Sequence, residues 1–380
     1  MVEAPALNKA ATHPAFAVPR TPSFVFAAAA MRRTASGIRT ASRSAGCTLL
    51  YSVKANAVPG VLTALAPFID GFGVSSLVEA KKARNALGDS GLLHLCTVAV
   101  PPKDASELAN ICDYATFNSL AQLQRWGPLF AERTSIGLRV NPGHSFLDDH
   151  RYDPCRPHTK LGISLDDLAA SADRIAPLVD GLHVHSNCDS TNLGELLETV
   201  RLLDSRIGHL LSQVKWVNLG GGYLFDEGTD LDPLKKAAGL IRDRHGAEVI
   251  IEPGAAFVRD SGYIVASVLD LFDSDGKAVA VLDTTVNHMP EVFEYQYCPD
   301  VLGHSDSGAY EYVLAGMSCL AGDVFGDYRF DDPLQVGSRV VFTNAGAYTL
   351  VKANTFNGIA LPSVYELSDE GRFVEMEGTP

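Results

Sequence analysis

Two features of this 380-residue chain predict an α/β fold: a TIM-like (β/α)8 barrel joined to a C-terminal β-rich domain. Short apolar runs alternate with amphipathic, helix-like segments eight times between residues 48 and 252, the count a closed eight-stranded barrel requires. After Glu252-Pro253-Gly254 that rhythm stops, and strand-like runs follow with long irregular connections and no comparable helices. The expected division is 1–26 as an N-terminal arm and strand joining the β-rich domain, 27–255 as the barrel and 256–380 as the β-rich domain. The length suits a large barrel or two domains rather than one small one.

In chain order, the first 22 residues read as a loosely ordered arm, and Thr21-Pro22-Ser23 leads into a strand at Phe24-Val25-Phe26. Arg32, Arg33, Arg39 and Arg43 among Ala, Ser and Thr have the composition of a transit peptide, but their place after that strand reads as a surface helix. The barrel runs are Thr48–Lys54, Ile69–Val74, Leu92–Val100, Ile111–Phe117, Ile136–Asn141, Gly181–His185, Val214–Leu219 and Glu248–Glu252. Helices are expected at Ser76–Leu87, Leu120–Ala131, Leu165–Ile175, Leu193–Leu211 and Pro233–His245, several opening on a Ser, Asn or Asp cap. In the β-rich part the strands are Phe257–Phe272, Ala278–Asp283, Arg339–Thr343 and Arg372–Met376.

Thirty-one basic against 45 acidic residues leave a net charge of −14, which argues against a nucleic-acid surface and suits a cationic small molecule. Seven cysteines without a CxxC pair indicate neither a zinc cluster nor a disulfide framework, so no metal site is expected. No apolar run approaches the roughly 18 residues a bilayer crossing needs, and the default expectation is a cytoplasmic protein without membrane contact.

Barrel chemistry collects at the carboxyl ends of the strands, and here those ends carry Lys54, His185, Gly220-Gly221-Gly222 and Glu252. Each alone has a bland reading as a surface charge, a core histidine, a turn or a helix cap. Their convergence at one mouth favours function. A lysine at the edge of a core, where partial desolvation favours the neutral amine, is a candidate nucleophile. Three glycines let backbone N–H groups approach a phosphate, without the GxGxxG or GK[ST] spacing of a nucleotide loop. One phosphate, one amine, a ring able to stack on His185 and one carboxylate define a site suited to pyridoxal 5′-phosphate, with Glu252 keeping a proton on the pyridine nitrogen. In the second domain, Cys319-Leu320-Ala321-Gly322-Asp323, followed by Gly326-Asp327-Tyr328, offers a proton donor and a cation-binding carboxylate. Tyr348, in Asn344-Ala345-Gly346-Ala347-Tyr348-Thr349, offers a phenol to the phosphate.

Together these segments resemble the fold-type III PLP-dependent decarboxylases: YSVKAN at Lys54, HTKLG at 158–162, GLHVH ending at His185, NLGGG ending at Gly222, EPG at 252–254, CLAGD at 319–323, GAYT at Tyr348 and TFNG at Asn357. Within that group of ornithine, diaminopimelate and carboxynorspermidine decarboxylases, CLAGD followed by GDY, and Asn287-His288-Met289-Pro290, are most similar to the carboxynorspermidine branch. The resemblance implies an alanine racemase-like barrel in which Lys54 bears the cofactor, His185 stacks on it, Glu252 pairs with the pyridinium, and Gly220, Gly221, Gly222 and Tyr348 hold the phosphate. It implies further that Cys319 protonates Cα, that Asp323 binds the distal amine of the substrate, and that both reach the site from the other subunit of a head-to-tail homodimer. Glu291 and Glu294 are further candidates for an acidic wall. Three positions depart from the relatives: Ala255 stands where an arginine is usual, Cys188 where serine is frequent, and YSVKAN looks more like the ornithine and diaminopimelate branches.

The expected function is decarboxylation of an amino acid with an extended basic side chain, of the carboxynorspermidine or carboxyspermidine kind, with diaminopimelate, ornithine, lysine or another conjugate as the alternative substrate. A racemase is disfavoured because racemases of this fold set an arginine, not Glu252, against the ring nitrogen. A non-catalytic homologue is disfavoured because Cys319 and Asp323 are both present.

Overall fold

The computed structural model describes residues 13–88, 90–225 and 228–376. They divide into one unit over 32–257 and a second that combines residues up to Met31 with those from Val258 onward. The helix Ala28–Ala45, expected from its arginines, carries the chain from one to the other.

In the first unit the eight strands Thr48–Ser52, Gly71–Val74, Leu92–Cys96, Tyr114–Phe117, Ser135–Asn141, Gly181–Val184, Trp216–Asn218 and Glu248–Ile251 are all parallel and pair in sequence order. Ile250 lies opposite Thr48, which closes the barrel. Side chains alternate along each strand, so its interior is built in layers. At the amino ends sits Trp216, 2% exposed, packed edge-on against Tyr114 and His94. Gly137 and Gly181 make room for the indole, since a Cβ on either would collide with its ring atoms. Two residues further up each strand the layer turns polar, with His94, Thr116, His183 and Asn218 all buried. At the carboxyl ends stand His185, Gly220 and Glu252.

Most of the strands are shorter than the expected apolar runs, and two are cut by two or more residues at the end that faces the site. The first strand stops at Ser52 because Val53–Ala55 winds into a 3-10 turn, and the third stops at Cys96 before a loop that reaches Pro101 and Pro102. Helix Leu193–Leu211 keeps its expected bounds, capped by the Asn192 side chain on the Gly194 N–H. Leu165–Ile175 breaks at Ser171, and the expected helix from Pro233 begins at Asp232 and passes into a wider π-turn over Leu240–Arg244.

The second unit holds an eight-stranded mixed sheet. Its long strand Gly262–Ser274 pairs antiparallel with Ser23–Ala27, Lys277–Leu282 and Arg339–Phe342. Ser23–Ala27 in turn pairs parallel with Ser363–Leu367, which carries Phe373–Glu375. On the other side Lys277–Leu282 meets Tyr310–Ala315, which forms an antiparallel hairpin with Val324–Phe330. Residues 1–12 of the expected arm lie outside the described residues. From Pro14 the arm is not loose: Ala15 and Val18 are fully buried against Val25, Val265 and Val341. Among the described residues no helix is long and apolar enough to cross a membrane.

Candidate active site

Lys54 lies two residues past its strand, on the Val53–Ala55 turn, and is exposed rather than partly desolvated as expected. The turn is fixed from below. The Ser52 N–H donates to the Pro253 carbonyl at 3.2 Å, the Tyr51 hydroxyl donates to the Asn56 carbonyl at 3.1 Å, and Gly254 packs so closely that a Cβ there would stand 3.0 Å from that of Ala55. The Glu252-Pro253-Gly254 segment thus aims the lysine as well as carrying the carboxylate.

Glu252 is 7% exposed. Its Oε1 lies 3.0 Å from His183 Nε2, while Oε2 is buried and accepts no hydrogen bond among the described residues. Burial pushes this carboxyl up, but the hydrogen bond and charge of His183, with His94 and Lys54 behind, outweigh it and hold the group down at about 2. The space beside Oε2 is kept open by Gly73, where a Cβ would stand 2.5 Å away. An ionised carboxylate with one oriented, unpartnered oxygen fits a protonated pyridine nitrogen, and on that ground the pocket fits pyridoxal 5′-phosphate.

His185 is driven well below its ordinary range, first by burial and then by the charges of Lys54 and Arg139, so its imidazole is neutral. Its Nδ1 accepts the Gly221 N–H at 3.2 Å, which sets the ring at the mouth as a flat uncharged surface. The glycines are demanded by backbone packing more than by an anion. Gly220 and Gly222 take φ of 69° and 88°, and a Cβ would stand 2.6 Å from the Val184 carbonyl at Gly220 and 2.5 Å from that of Glu252 at Gly221. The Gly220 N–H is spent on Asn218 Oδ1 at 2.7 Å, so with Gly221 also engaged two of the three glycine donors are already used inside the fold.

Cys319, Asp323 and Tyr348 belong to the second unit. Cys319 is exposed, in the loop between Tyr310–Ala315 and Val324–Phe330, and its N–H donates to Asn357 Oδ1 at 2.9 Å, which joins the CLAGD and TFNG segments. Asp323, expected to meet a distal ammonium, is instead only 3% exposed. Its Oδ1 accepts the Val286 N–H at 2.7 Å and its Oδ2 the Ser318 N–H at 3.0 Å, the geometry of a loop anchor. Asp323→Ala would strand two backbone N–H groups, with an expected loss of about 2 kcal/mol or more in urea unfolding. A raised KM with unchanged stability would instead support direct substrate contact.

Glu291 and Glu294 both bind Lys352, at 3.2 Å for Glu291, so one of their two charges is already met. The GDY segment is strand: Asp327 pairs with Lys277 at 2.8 Å and the Tyr328 hydroxyl donates to the Pro299 carbonyl at 2.6 Å. Tyr348 sits at φ 56°, a conformation few bulky residues adopt, just before the turn Leu350–Lys352.

Sequence reasoning missed the polar layer below the mouth. His183 holds Glu252. His94 bridges Thr116 Oγ1 at 2.7 Å and Asn218 Nδ2 at 2.8 Å, and Asn218 in turn pins the Gly220 N–H. The signal was present in GLHVH, where two histidines at a spacing of two on a strand share a face.

Comparison with known proteins shows the family. The profile described as pyridoxal-dependent decarboxylase, C-terminal sheet domain, matches residues 41–346 and so takes in most of the barrel as well. A carboxynorspermidine/carboxyspermidine decarboxylase of Campylobacter jejuni is 32% identical over 361 residues, covering 91% of this chain and 92% of that protein. A carboxyaminopropylagmatine decarboxylase of Synechocystis sp. is 33% identical over 359 residues, covering 93% and 91%. The crystal structure of carboxynorspermidine decarboxylase from Campylobacter jejuni complexed with norspermidine superposes with a TM-score of 0.85 at 28% identity, covering 95% of this chain and 98% of that one. With a family match over most of its length and relatives more than 30% identical over nine-tenths of it, the chain belongs to the pyridoxal-dependent decarboxylases, carboxy-lyases that work with pyridoxal 5′-phosphate.

Proposed function

We propose that this enzyme decarboxylates an amino acid whose side chain is a long polyamine or guanidino-polyamine, releasing CO2 and the corresponding amine. The observation that carries the reading is similarity at 32–33% identity over more than nine-tenths of the chain to enzymes of carboxynorspermidine, carboxyspermidine and carboxyaminopropylagmatine. It is supported at the cysteine segment, where Cys319-Leu320-Ala321-Gly322-Asp323 followed by Gly326-Asp327-Tyr328 resembles the carboxynorspermidine branch.

In this reading Lys54 would hold the cofactor covalently, His185 would offer its flat face to the ring, Glu252 Oε2 would keep the ring nitrogen protonated, and the Gly222 N–H and the Tyr348 phenol would hold the phosphate. When bound, the protonated ring supplies an electron sink for the pair left at Cα as CO2 departs. Cys319 Sγ then returns a proton to Cα.

The cysteine acts from the second chain of a homodimer, which accords with the exposed Phe293, Met317, Val324 and Phe356 in or beside the segments that hold it. The test is CO2 release from carboxynorspermidine, carboxyspermidine, carboxyaminopropylagmatine, meso-diaminopimelate, ornithine and lysine. The expected result is a kcat/KM for one of the first three at least about 100-fold above the rest, the scale of a few missing contacts. A preference for diaminopimelate, ornithine or lysine would overturn the substrate assignment.

A further inference from the structure

Behind Glu252 lies a group of side chains for which the proposed chemistry has no use. Cys96 Sγ, at the end of strand Leu92–Cys96, lies 3.8 Å from Nε2 and 3.9 Å from Nδ1 of His183, and His183 Nε2 lies 3.0 Å from Glu252 Oε1. The donor atoms of all three fall within 4.8 Å of one another. His183 is 1% exposed, so nothing from solvent competes for these contacts.

The groups facing this imidazole from the surrounding strands are Cys96, His94, Arg139, His185 and Glu252, with Lys54 acting on Glu252. His94 is neutral, held by burial at about 4, and both its nitrogens are engaged. His185 is neutral as well. Arg139 acts on Cys96 as a favourable cation. That leaves Cys96 and Glu252 as the two groups able to bring negative charge against His183, from two sides. Burial opposes a charged imidazole, yet the thiol and the carboxylate outweigh it and raise His183, while His183 draws the thiol down against its own burial.

We propose that Cys96, His183 and Glu252 work as one buried relay in which His183 is a positioning residue: lying between the Cys96 sulfur and the Glu252 carboxylate, it pins Glu252 through Oε1 so that Oε2 stays turned toward the ring nitrogen. Only the last clause rests on the proposed binding of the cofactor. Cys96 takes no part in the chemistry itself. Its work is to keep the imidazole protonated, which keeps the carboxylate both ionised and fixed in one rotamer.

The test follows the Cys96 thiolate by its ultraviolet absorbance in the full-length protein, as the difference between wild type and Cys96→Ser across pH. The midpoint is expected below the ordinary thiol value of about 8.5. In the His183→Gln background, read against His183→Gln/Cys96→Ser, it should rise by at least about one pH unit, a tenfold change in proton affinity. Equal midpoints in the two backgrounds would overturn the relay. Should His183→Gln not fold, Cys96→Ser decides: its affinity for added pyridoxal 5′-phosphate should begin to fall at lower pH than that of the wild type, because the imidazole has lost the sulfur that raises its proton affinity. An unchanged profile would overturn the proposal. A wild-type protein that binds no cofactor at all would sink the proposed function and leave the thiolate curve to judge the relay.

Discussion

Lys54→Ala is expected to lower kcat by about 10³-fold or more, the scale on which a member of a cooperating catalytic set is lost. Because Lys54 is exposed on a short turn, the unfolding free energy should change by no more than about 0.5 kcal/mol. The two readouts together separate a chemical role from a structural one. Borohydride reduction followed by peptide mapping should place the cofactor on Lys54 in the wild type and on no lysine in the variant. Turnover at the wild-type rate would show that another amine carries the chemistry. Mixing Lys54→Ala with Cys319→Ala extends the experiment to the dimer. If each active site draws Lys54 from one chain and Cys319 from the other, the mixture regains activity that neither variant has, and a mixture as inactive as its parts would mean that each chain builds its own site.

Glu252→Gln should cost about 10² to 10³-fold in kcat, the loss typical of removing one fixed electrostatic partner from a desolvated site. A neutral amide cannot hold a proton on the ring nitrogen, although its shape is nearly the same. The substitution also leaves His183 as a buried cation facing an amide, and removing one partner of a buried pair costs about 3 to 5 kcal/mol. Glu252 ionises at about 2 in the folded chain and at 4.5 as a free group. Its contribution to stability is therefore present above 4.5 and is lost as pH falls from 4.5 toward 2. His183 runs the other way: raised to about 9 from 6.5, it stabilises the fold fully below 6.5 and loses that contribution as pH rises through 9. Denaturant titrations across pH should show both limbs in the wild type. In Glu252→Gln the acid limb flattens and the alkaline limb moves to lower pH, because His183 has lost the anion that held its proton. An acid limb unchanged in the variant would place the responsible carboxylate elsewhere.

Parts of this architecture were plain in the residues and parts were not. Each of the eight barrel runs corresponds to a strand, since a strand buried on both faces is apolar throughout and stands out from amphipathic helices. The strands Tyr310–Ala315, Val324–Phe330 and Ser363–Leu367 escaped notice. In the first two, Glu311, Asp327 and Arg329 face solvent and break the apolar pattern, and they meet one another and Lys277 in cross-strand ion pairs that only the pairing reveals. The apolar stretch from Leu92 outruns its strand by four residues because Val98 and Val100 continue it into the loop, where Val98 is exposed.

What the sequence determined by itself is the set of parts: a barrel with a lysine, a histidine, a glycine loop and a glutamate at the ends of its strands. Those follow from local periodicity and from the alternation of strand faces, which any stretch of chain carries within itself. Tertiary structure alone decided how the parts are held. That Glu252 leans on His183 and Cys96, that two of the glycine N–H groups are already spent, and that Asp323 clasps a loop instead of lying open are facts about residues up to 156 positions apart, as Cys96 and Glu252 are. Hydrogen bonds and burial join such residues only after the barrel closes, and the ionisation of a carboxylate there is set by the neighbours closure supplies.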